Sequence, residues 1–230
     1  MLYDTRTRLS STLRRMRRPA ALGAALVCTA LAVTCAANTA TSLDKKSAIR
    51  GCGGGRTQVK TLSDSRAHLV SERPRETSIA ALRRLPAPVK LTAKSSRRPG
   101  TERTTYRVHA RLVEMTLETD GDVLLVVLDP KTKGKLVTEF PAGRCTRRAS
   151  GQHRKLMRNA RAALIAACGQ PSRSTTEIGG SVTITGVGFF EPGDGVPRES
   201  RNGFELHPVL GFHGTRCPVG AWSVRSGESG

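Results

Sequence analysis

Two alternating runs of β-branched and aromatic residues occupy the C-terminal third of the chain, residues 181–190 and 204–210. A loop rich in Gly, Pro and Asp joins them. Alternation of this kind is typical of strands that bury one face. Three strand-like runs and one helix-like run precede the pair, so the order of elements points to a small β-barrel.

The three earlier runs are separated by turn signals. Residues 104–117 form a long predicted strand whose alternation shifts near Val113, as a β-bulge would cause. The Asp-Gly pair at 120–121 predicts a hairpin turn before a strand at 123–128. A second turn at 129–134 precedes a third strand at 135–140.

One amphipathic helix is predicted over residues 152–167, and Gly169 and Pro171 end it. Its predicted apolar face consists of Leu156, Ala160, Ala163, Leu164 and Ala167. Three strands, a helix and two strands follow one another in the OB-fold, a five-stranded Greek-key barrel. We therefore expect a mainly β chain with a five-stranded OB-like barrel and one helix between barrel strands 3 and 4. A generic α+β sheet is the alternative.

The N-terminus reads as an export signal. An arginine cluster precedes an apolar run at 20–33 and then small residues, which is the layout of a secretory signal peptide. We expect residues 1–40 to be this signal peptide, with the mature N-terminus between Ala36 and Thr41, which would place the protein outside the cell or in the periplasm or cell envelope. An uncleaved anchor, or lipidation at Cys28 or Cys35, is the alternative.

The remaining chain divides by composition. We expect a flexible linker at 41–55, an N-terminal α/β extension at 56–103, the barrel at 104–212 and a tail at 213–230. The extension contains one short predicted helix, with Thr77 as its N-cap and Pro86 as its stop. Four cysteines remain after signal cleavage and allow three disulfide connectivities, without zinc-site spacing: Cys52, Cys145, Cys168 and Cys217.

The net charge of +20 is unevenly distributed. Residues 1–100 hold 20 Lys and Arg against 5 Asp and Glu, whereas residues 101–230 hold 18 against 13. The sequence therefore predicts that polyanions, such as nucleic acid or acidic polysaccharide, bind weakly through the basic region 45–98. A merely solvated basic surface is the alternative, and the oligomeric state is not indicated.

Acidic residues gather in the loops that flank the usual OB-fold binding face. The metal-ligand candidates lie in the 118–122 turn, in the 191–199 loop and on the last strand: Asp120, Asp122, Glu191, Asp194, Glu205 and His207. Glu205 and His207 are two apart and so share a strand face, with Glu139 nearby. Such carboxylates suit Ca²⁺ or Mg²⁺. Alternatively, the Asp-Gly pair only makes a turn, and Glu205 and His207 only face solvent or cap a loop.

A cationic stripe lies on the first long strand, at Arg107, His109 and Arg111. These residues are candidates for anion binding or simply an exposed strand face. Single-strand nucleic-acid binders need aromatic stacking platforms, and aromatics make up only 3% of this chain. Nucleophile, phosphate-loop and dinucleotide signatures are absent. The sequence predicts an exported binding module for anionic polymer or envelope components, with a metal-dependent nuclease or hydrolase as the alternative.

Several stretches resemble a family of exported bacterial proteins with a DGDxxLVL, TGVGFF and NGxELHPVL pattern. The matching segments begin at Asp120, Thr185 and Asn202. The resemblance covers residues 56–212 and implies export, but no activity. The chain departs from the pattern at Leu124, where the family has histidine, and at 191–195, where it has Asp and then His-Gly. A site formed by those family groups would therefore be incomplete here.

Overall fold

The computed structural model describes residues 51–192 and 200–218. The predicted signal peptide, most of the linker, most of the predicted tail and Asp194 lie outside these residues. Seven strands are found among the described residues: β1 (Arg75–Glu76), β2 (Thr105–Leu117), β3 (Val123–Leu128), β4 (Lys135–Phe140), β5 (Thr176–Glu177), β6 (Ser181–Phe190) and β7 (Phe204–Gly214).

Five of the strands close into a barrel in the order β2-β3-β4-β7-β6, and β6 pairs with β2 to complete the ring. The β4–β7 pair is parallel and the other barrel pairs are antiparallel. The main helix lies in the chain between β4 and β5, and hence between the third and fourth barrel strands. The predicted small OB-like barrel is confirmed.

Turn chemistry sets the register of the first three barrel strands. Gly121 has a φ of 88°, which glycine adopts without steric cost, and the Asp120 carboxylate accepts a hydrogen bond from the Asp122 amide. Asp129 accepts from the backbone amides of Lys131 and Thr132 in the next turn. The predicted bulge is present, since the β2–β3 register shifts between Leu112 and Glu114. β7 is longer than predicted because its pairing with β6 continues to Gly214.

The main helix buries a different face from the predicted one at its N-terminal end. It is α3 (Gly151–Cys168), and the Ser150 side chain accepts a hydrogen bond from the His153 amide as its N-cap. Met157, Ala160 and Leu164 are buried, whereas Leu156 is 37% exposed. The prediction for Leu156 was wrong because the neighbouring Met157, about 100° further round the helix, takes the inward position.

The N-terminal extension packs on the barrel as short pieces. It contains α1 (Thr57–Lys60), α2 (Ile79–Leu82), β1 and two 3-10 turns, Ala67–Leu69 and Thr101–Arg103. Ile79 and Leu82 of α2 belong to the barrel core. The N-cap of α2 is Ser78 rather than the predicted Thr77, because the Ser78 side chain accepts from the Ala81 amide.

A buried ion pair connects the extension to the end of β6. Arg56 and Glu102 meet side by side, with Nη1 2.7 Å from Oε1, and both side chains are fully buried. Arg56 also donates to the Phe190 carbonyl at 2.8 Å, and Glu102 accepts from the Phe190 amide at 3.0 Å. Both backbone groups of Phe190, at the end of β6, therefore have a charged hydrogen-bond partner.

Two disulfides resolve the three possible connectivities: Cys52 pairs with Cys145, and Cys168 pairs with Cys217. The first ties the start of the described chain to the loop before α3, and the second ties the last residue of α3 to the chain after β7. Within the described ranges, no helix has the length and apolar character needed to cross a bilayer.

Replacing Leu164 by alanine should lower the free energy of unfolding by about 2–5 kcal/mol, because its side chain is fully buried in the barrel core. Leu156→Ala is the matched control on the same helix, and its exposed side chain should cost less than about 1 kcal/mol. Chemical denaturation of both variants checks the assignment. Equal losses would mean that the helix buries a different face.

Candidate functional site

Four ionisable side chains are buried together at one end of the barrel. Asp122 ends the β2–β3 turn, Glu139 lies on β4, and Glu205 and His207 lie on β7. Each is at most 4% exposed, and His207 is fully buried. We call these four residues the His207 cluster. The parallel pairing of β4 with β7 brings them together, because Val137 is in register with Glu205 and Glu139 lies two residues further along β4.

His207 is the centre of the cluster. Its Nδ1 lies 3.0 Å from Glu139 Oε2 and 3.4 Å from Glu205 Oε1. Its Nε2 lies 3.6 Å from Asp122 Oδ2 and has no hydrogen-bond partner among the described residues. The other Asp122 oxygen accepts from the Ala142 amide at 2.7 Å. One side of the imidazole is thus held by carboxylates, and the other faces a carboxylate beyond hydrogen-bond reach.

The extension supplies the nearest cations. Lys60 is 8% exposed, and its Nζ lies 2.8 Å from Glu191 Oε2. Lys60 and Arg56 both stand over the Phe189 ring, at 5.3 and 4.7 Å from its centroid, and that ring is 5.7 Å from the His207 ring. These contacts place positive charge beside the carboxylates without adding a donor to His207 itself.

Burial and crowding shift the protonation of these groups. Burial, together with the Glu139 carboxylate, raises the pKa of Glu205 to about 7. Burial alone would lower the pKa of His207, but Glu139 and the other two carboxylates outweigh it and raise that pKa well above its ordinary value. Burial likewise opposes the charge of Lys60, yet Glu139, Glu205 and Glu191 raise its pKa. The carboxylates thus favour a charged imidazolium in the cluster.

A cleft of about 740 Å³ opens beside the cluster, and Glu139 is one of its lining residues. Lys60, Glu118, Asp120, Arg173 and Glu191 also line it. Burial, followed by the nearby Glu139 and Asp120 carboxylates, raises the pKa of Glu118 to about 7. Burial and Asp122 raise the pKa of Asp120. The cleft therefore reaches the His207 cluster only at Glu139, and the charged residues of its lining are mainly acidic.

The structure brings together three of the six metal-ligand candidates: Asp122, Glu205 and His207. Asp120 is half-buried, and one of its carboxylate oxygens accepts a hydrogen bond from the Asp122 amide. Glu191 forms an ion pair with Lys60. The alternative that Glu205 and His207 face solvent is wrong, because both are buried. Sequence reasoning placed Glu139 only nearby and missed Lys60, which lies in a short helix without a periodic pattern.

The cationic stripe on β2 is partly neutralised. Arg107 lies 3.0 Å from Glu76 Oε1 and also donates to Thr185 Oγ1. His109 Nδ1 is 2.8 Å from Thr183 Oγ1, and its Nε2 is 3.9 Å from Glu76 Oε2. Arg111 is exposed. Because β1 places Glu76 beside two of the three residues, the stripe is a weaker candidate anion site than its sequence suggested.

Asp122, Glu139 and His207 can each offer one donor atom, and these atoms lie within 4.8 Å of one another. The donors of a bound Zn²⁺ stand about 3–4 Å apart, since each is about 2.1 Å from the ion. Small side-chain rotations would therefore bring the three donors onto one cation. The imidazole in this donor set favours Zn²⁺ over the Ca²⁺ or Mg²⁺ expected from carboxylates alone, and the two carboxylates also suit Mn²⁺.

Comparison of the chain with family models, with curated proteins and with solved structures gave no match. The resemblance to an exported bacterial family therefore stays a prediction. Leu124, where that family has histidine, pairs with Glu139 across β3 and β4. One of the two departures from the family pattern is thus adjacent to the His207 cluster.

Without added metal, the free energy of unfolding should fall as the pH rises from about 5 to 8. A group whose pKa is higher in the folded than in the unfolded state stabilises the folded state fully below the unfolded-state pKa. This stabilisation is lost as the pH rises through the folded-state pKa. The contribution of Glu205 to stability is lost as the pH rises to about 7, the raised pKa of its carboxyl. The contribution of His207 is lost as the pH rises above 6.5, the ordinary pKa of an imidazole. Urea unfolding with a chelator present measures this. Glu205→Gln should make the decline below pH 7 shallower, and a rise in stability would contradict the assignment.

Proposed function

We propose that this chain is an exported binding protein whose OB-like barrel holds a divalent cation at Asp122, Glu139 and His207. The observation that carries the proposal is the buried Nε2 of His207, which makes no hydrogen bond within the described part of the chain and lies 3.6 Å from Asp122 Oδ2. A buried polar atom without a partner is costly unless something is meant to satisfy it. In many metal centres a carboxylate holds one imidazole nitrogen while the other binds the ion. Here Glu205, whose Oε1 lies 3.4 Å from Nδ1, can hold the first nitrogen, while the Glu139 carboxylate, now 3.0 Å from Nδ1, would turn toward the ion.

The electrostatics of the cluster support a cation. Three carboxylates lie around one imidazole, and clustered carboxylates repel one another unless a positive charge neutralises them. In the absence of a metal the imidazolium and Lys60 supply that charge. A divalent ion that displaced the imidazole proton would supply more of it, so metal binding should release protons.

Export is supported by two observations. The arginine cluster and the apolar run at 20–33 have the order of a signal peptide. The two disulfides suit an oxidising compartment, because cytosolic proteins rarely keep such bonds. The cleft beside the cluster, with Lys60 and Arg173 in its lining, is where a ligand could reach the cation.

Zn²⁺ or Mn²⁺ should raise the melting temperature of the protein. A cation present at one hundred times its Kd stabilises the native state by about 2.7 kcal/mol, which is a rise of about 5–10 °C for a domain of this size. Differential scanning calorimetry with and without metal measures the shift. Ca²⁺ and Mg²⁺ should shift it less, because neither prefers imidazole.

Asp122→Asn should abolish the metal-dependent rise while the protein still folds, because the asparagine oxygen can still accept from the Ala142 amide. Asp120→Asn is the matched control in the same turn, since Asp120 is not among the three donors, and it should keep the rise. Absence of a shift in the wild-type protein at millimolar metal would refute the cation site. An equal loss in both variants would point to nonspecific attraction by the acidic turn.

A metal-dependent hydrolase, such as a nuclease, is the second candidate, and the position of Glu118 favours it. Glu118 lines the same cleft as Glu139, where it could take a proton from a metal-bound water. With Mn²⁺ present, this function predicts turnover of bis(p-nitrophenyl) phosphate or of plasmid DNA. Glu118→Gln should abolish turnover but keep the metal-dependent thermal shift. If the wild-type protein shows the metal-dependent thermal shift but no turnover, the hydrolase function is refuted and only the binding function is supported.

A further inference from the structure

The longest stretch of the described chain without a carboxylate surrounds α3. No Asp or Glu occurs between Glu139 and Glu177, yet this stretch holds eight basic residues: Arg144, Arg147, Arg148, Arg154, Lys155, Arg158, Arg161 and Arg173. Residues 101–230 as a whole hold 18 basic against 13 acidic residues, so the remainder of that region is net acidic. The positive charge of the barrel domain is therefore concentrated in one segment.

The outer side of α3 and the loop before it display this charge. We call the set Arg147, Arg148, Arg154, Lys155 and Arg158 the α3 basic face. All five residues are exposed. Arg154 and Arg158 are about 6 Å apart along the helix axis, from a rise of about 1.5 Å per residue. A groove of about 500 Å³ runs between the helix and the preceding loop, and Arg154, Arg158 and Arg161 line it together with Thr146.

The charges of the α3 basic face are not neutralised within the described part of the chain. None of its five residues forms an ion pair with a carboxylate there. Arg161, deeper in the groove, donates to the carbonyls of Phe140 and Gly121 and so fixes the helix to the barrel. The outer cations are therefore available to a partner, while the inner one holds the surface in place.

We propose that the α3 basic face binds a linear acidic polysaccharide that carries carboxylate or sulfate groups. Four of the five residues are arginine, whose planar guanidinium binds two oxygens of such a group at once. The polymer would lie along the helix and reach into the groove beside Arg154 and Arg158. This proposal goes beyond the cation site and does not depend on it.

Two features of the segment argue against single-stranded nucleic acid and against a bilayer as its partner. Residues 141–176 contain no Phe, Tyr or Trp, so the face has no platform on which unpaired nucleobases could stack. The apolar side of α3, formed by Met157, Ala160 and Leu164, is buried against the barrel. The helix therefore has no large apolar face to insert into a bilayer.

The test compares two triple variants of the full-length chain that each remove three positive charges. One is Arg154→Gln, Lys155→Gln and Arg158→Gln on the α3 basic face. The control is Arg84→Gln, Lys90→Gln and Arg98→Gln in the N-terminal extension, where the sequence alone placed polyanion binding. All six positions are exposed, and thermal melting of each variant verifies the fold. The probes are heparin and polygalacturonate, with duplex DNA and anionic vesicles as competitors.

The α3 variant should lose at least tenfold in affinity for both polysaccharides, and the control should stay within twofold of the wild type. The slope of log affinity against log salt should become shallower by about 2, since each lost contact removes roughly 0.7 from it. Arg158→Glu alone should reproduce a large part of the loss. Equal losses in both triple variants, or a loss only in the control, would overturn the proposal. Tighter binding to DNA or vesicles than to either polysaccharide at the same salt would overturn the choice of partner.

Discussion

The ion pair between Arg56 and Glu102 is the contact on which the barrel's polar interior depends. A buried pair stabilises a protein only when every remaining hydrogen-bonding group has a partner. Here the backbone of Phe190 and the Ser95 and Ser96 carbonyls supply those partners. The same pair fixes the start of α1, and so it places Lys60 over the Phe189 ring beside the His207 cluster. The extension thus provides the barrel with the positive charge that its buried carboxylates require.

The strands, their order and the two hairpin turns could be predicted because each depends on local signals. Alternation with a period of two marked the strands, and the Asp-Gly pair at 120–121 marked the first hairpin turn. The helix was also visible, but its inward face was not fully determined. Leu156 and Met157 are adjacent and both apolar, so periodicity alone cannot decide which one faces the barrel. Tertiary packing made that choice in favour of Met157.

The candidate site was only half predictable. The spacing of Glu205 and His207 put both on one strand face, and the acidic turn supplied Asp122. The surrounding cations were missed because Arg56 and Lys60 lie at the two ends of a four-residue helix, which is too short for a period that would distinguish a buried charge from a solvated one. Arg97 and Glu102 illustrate this, since the sequence around them has no periodic pattern, yet both side chains are buried by partners distant in sequence. The predicted export signal lies outside the described residues, and the family resemblance found no matching relative, so both stay predictions.

The two disulfides have a consequence for α3. One holds Cys145, just before the helix, and the other holds Cys168, its last residue. The helix is therefore fastened at both ends to distant parts of the chain, and its exposed side chains stand on a backbone that has little freedom left. A polymer meeting this surface would find it already ordered, so most of the entropy lost on association would be the polymer's own. Reduction of either bond would shift part of that loss onto the protein and weaken the complex without changing a single contact residue.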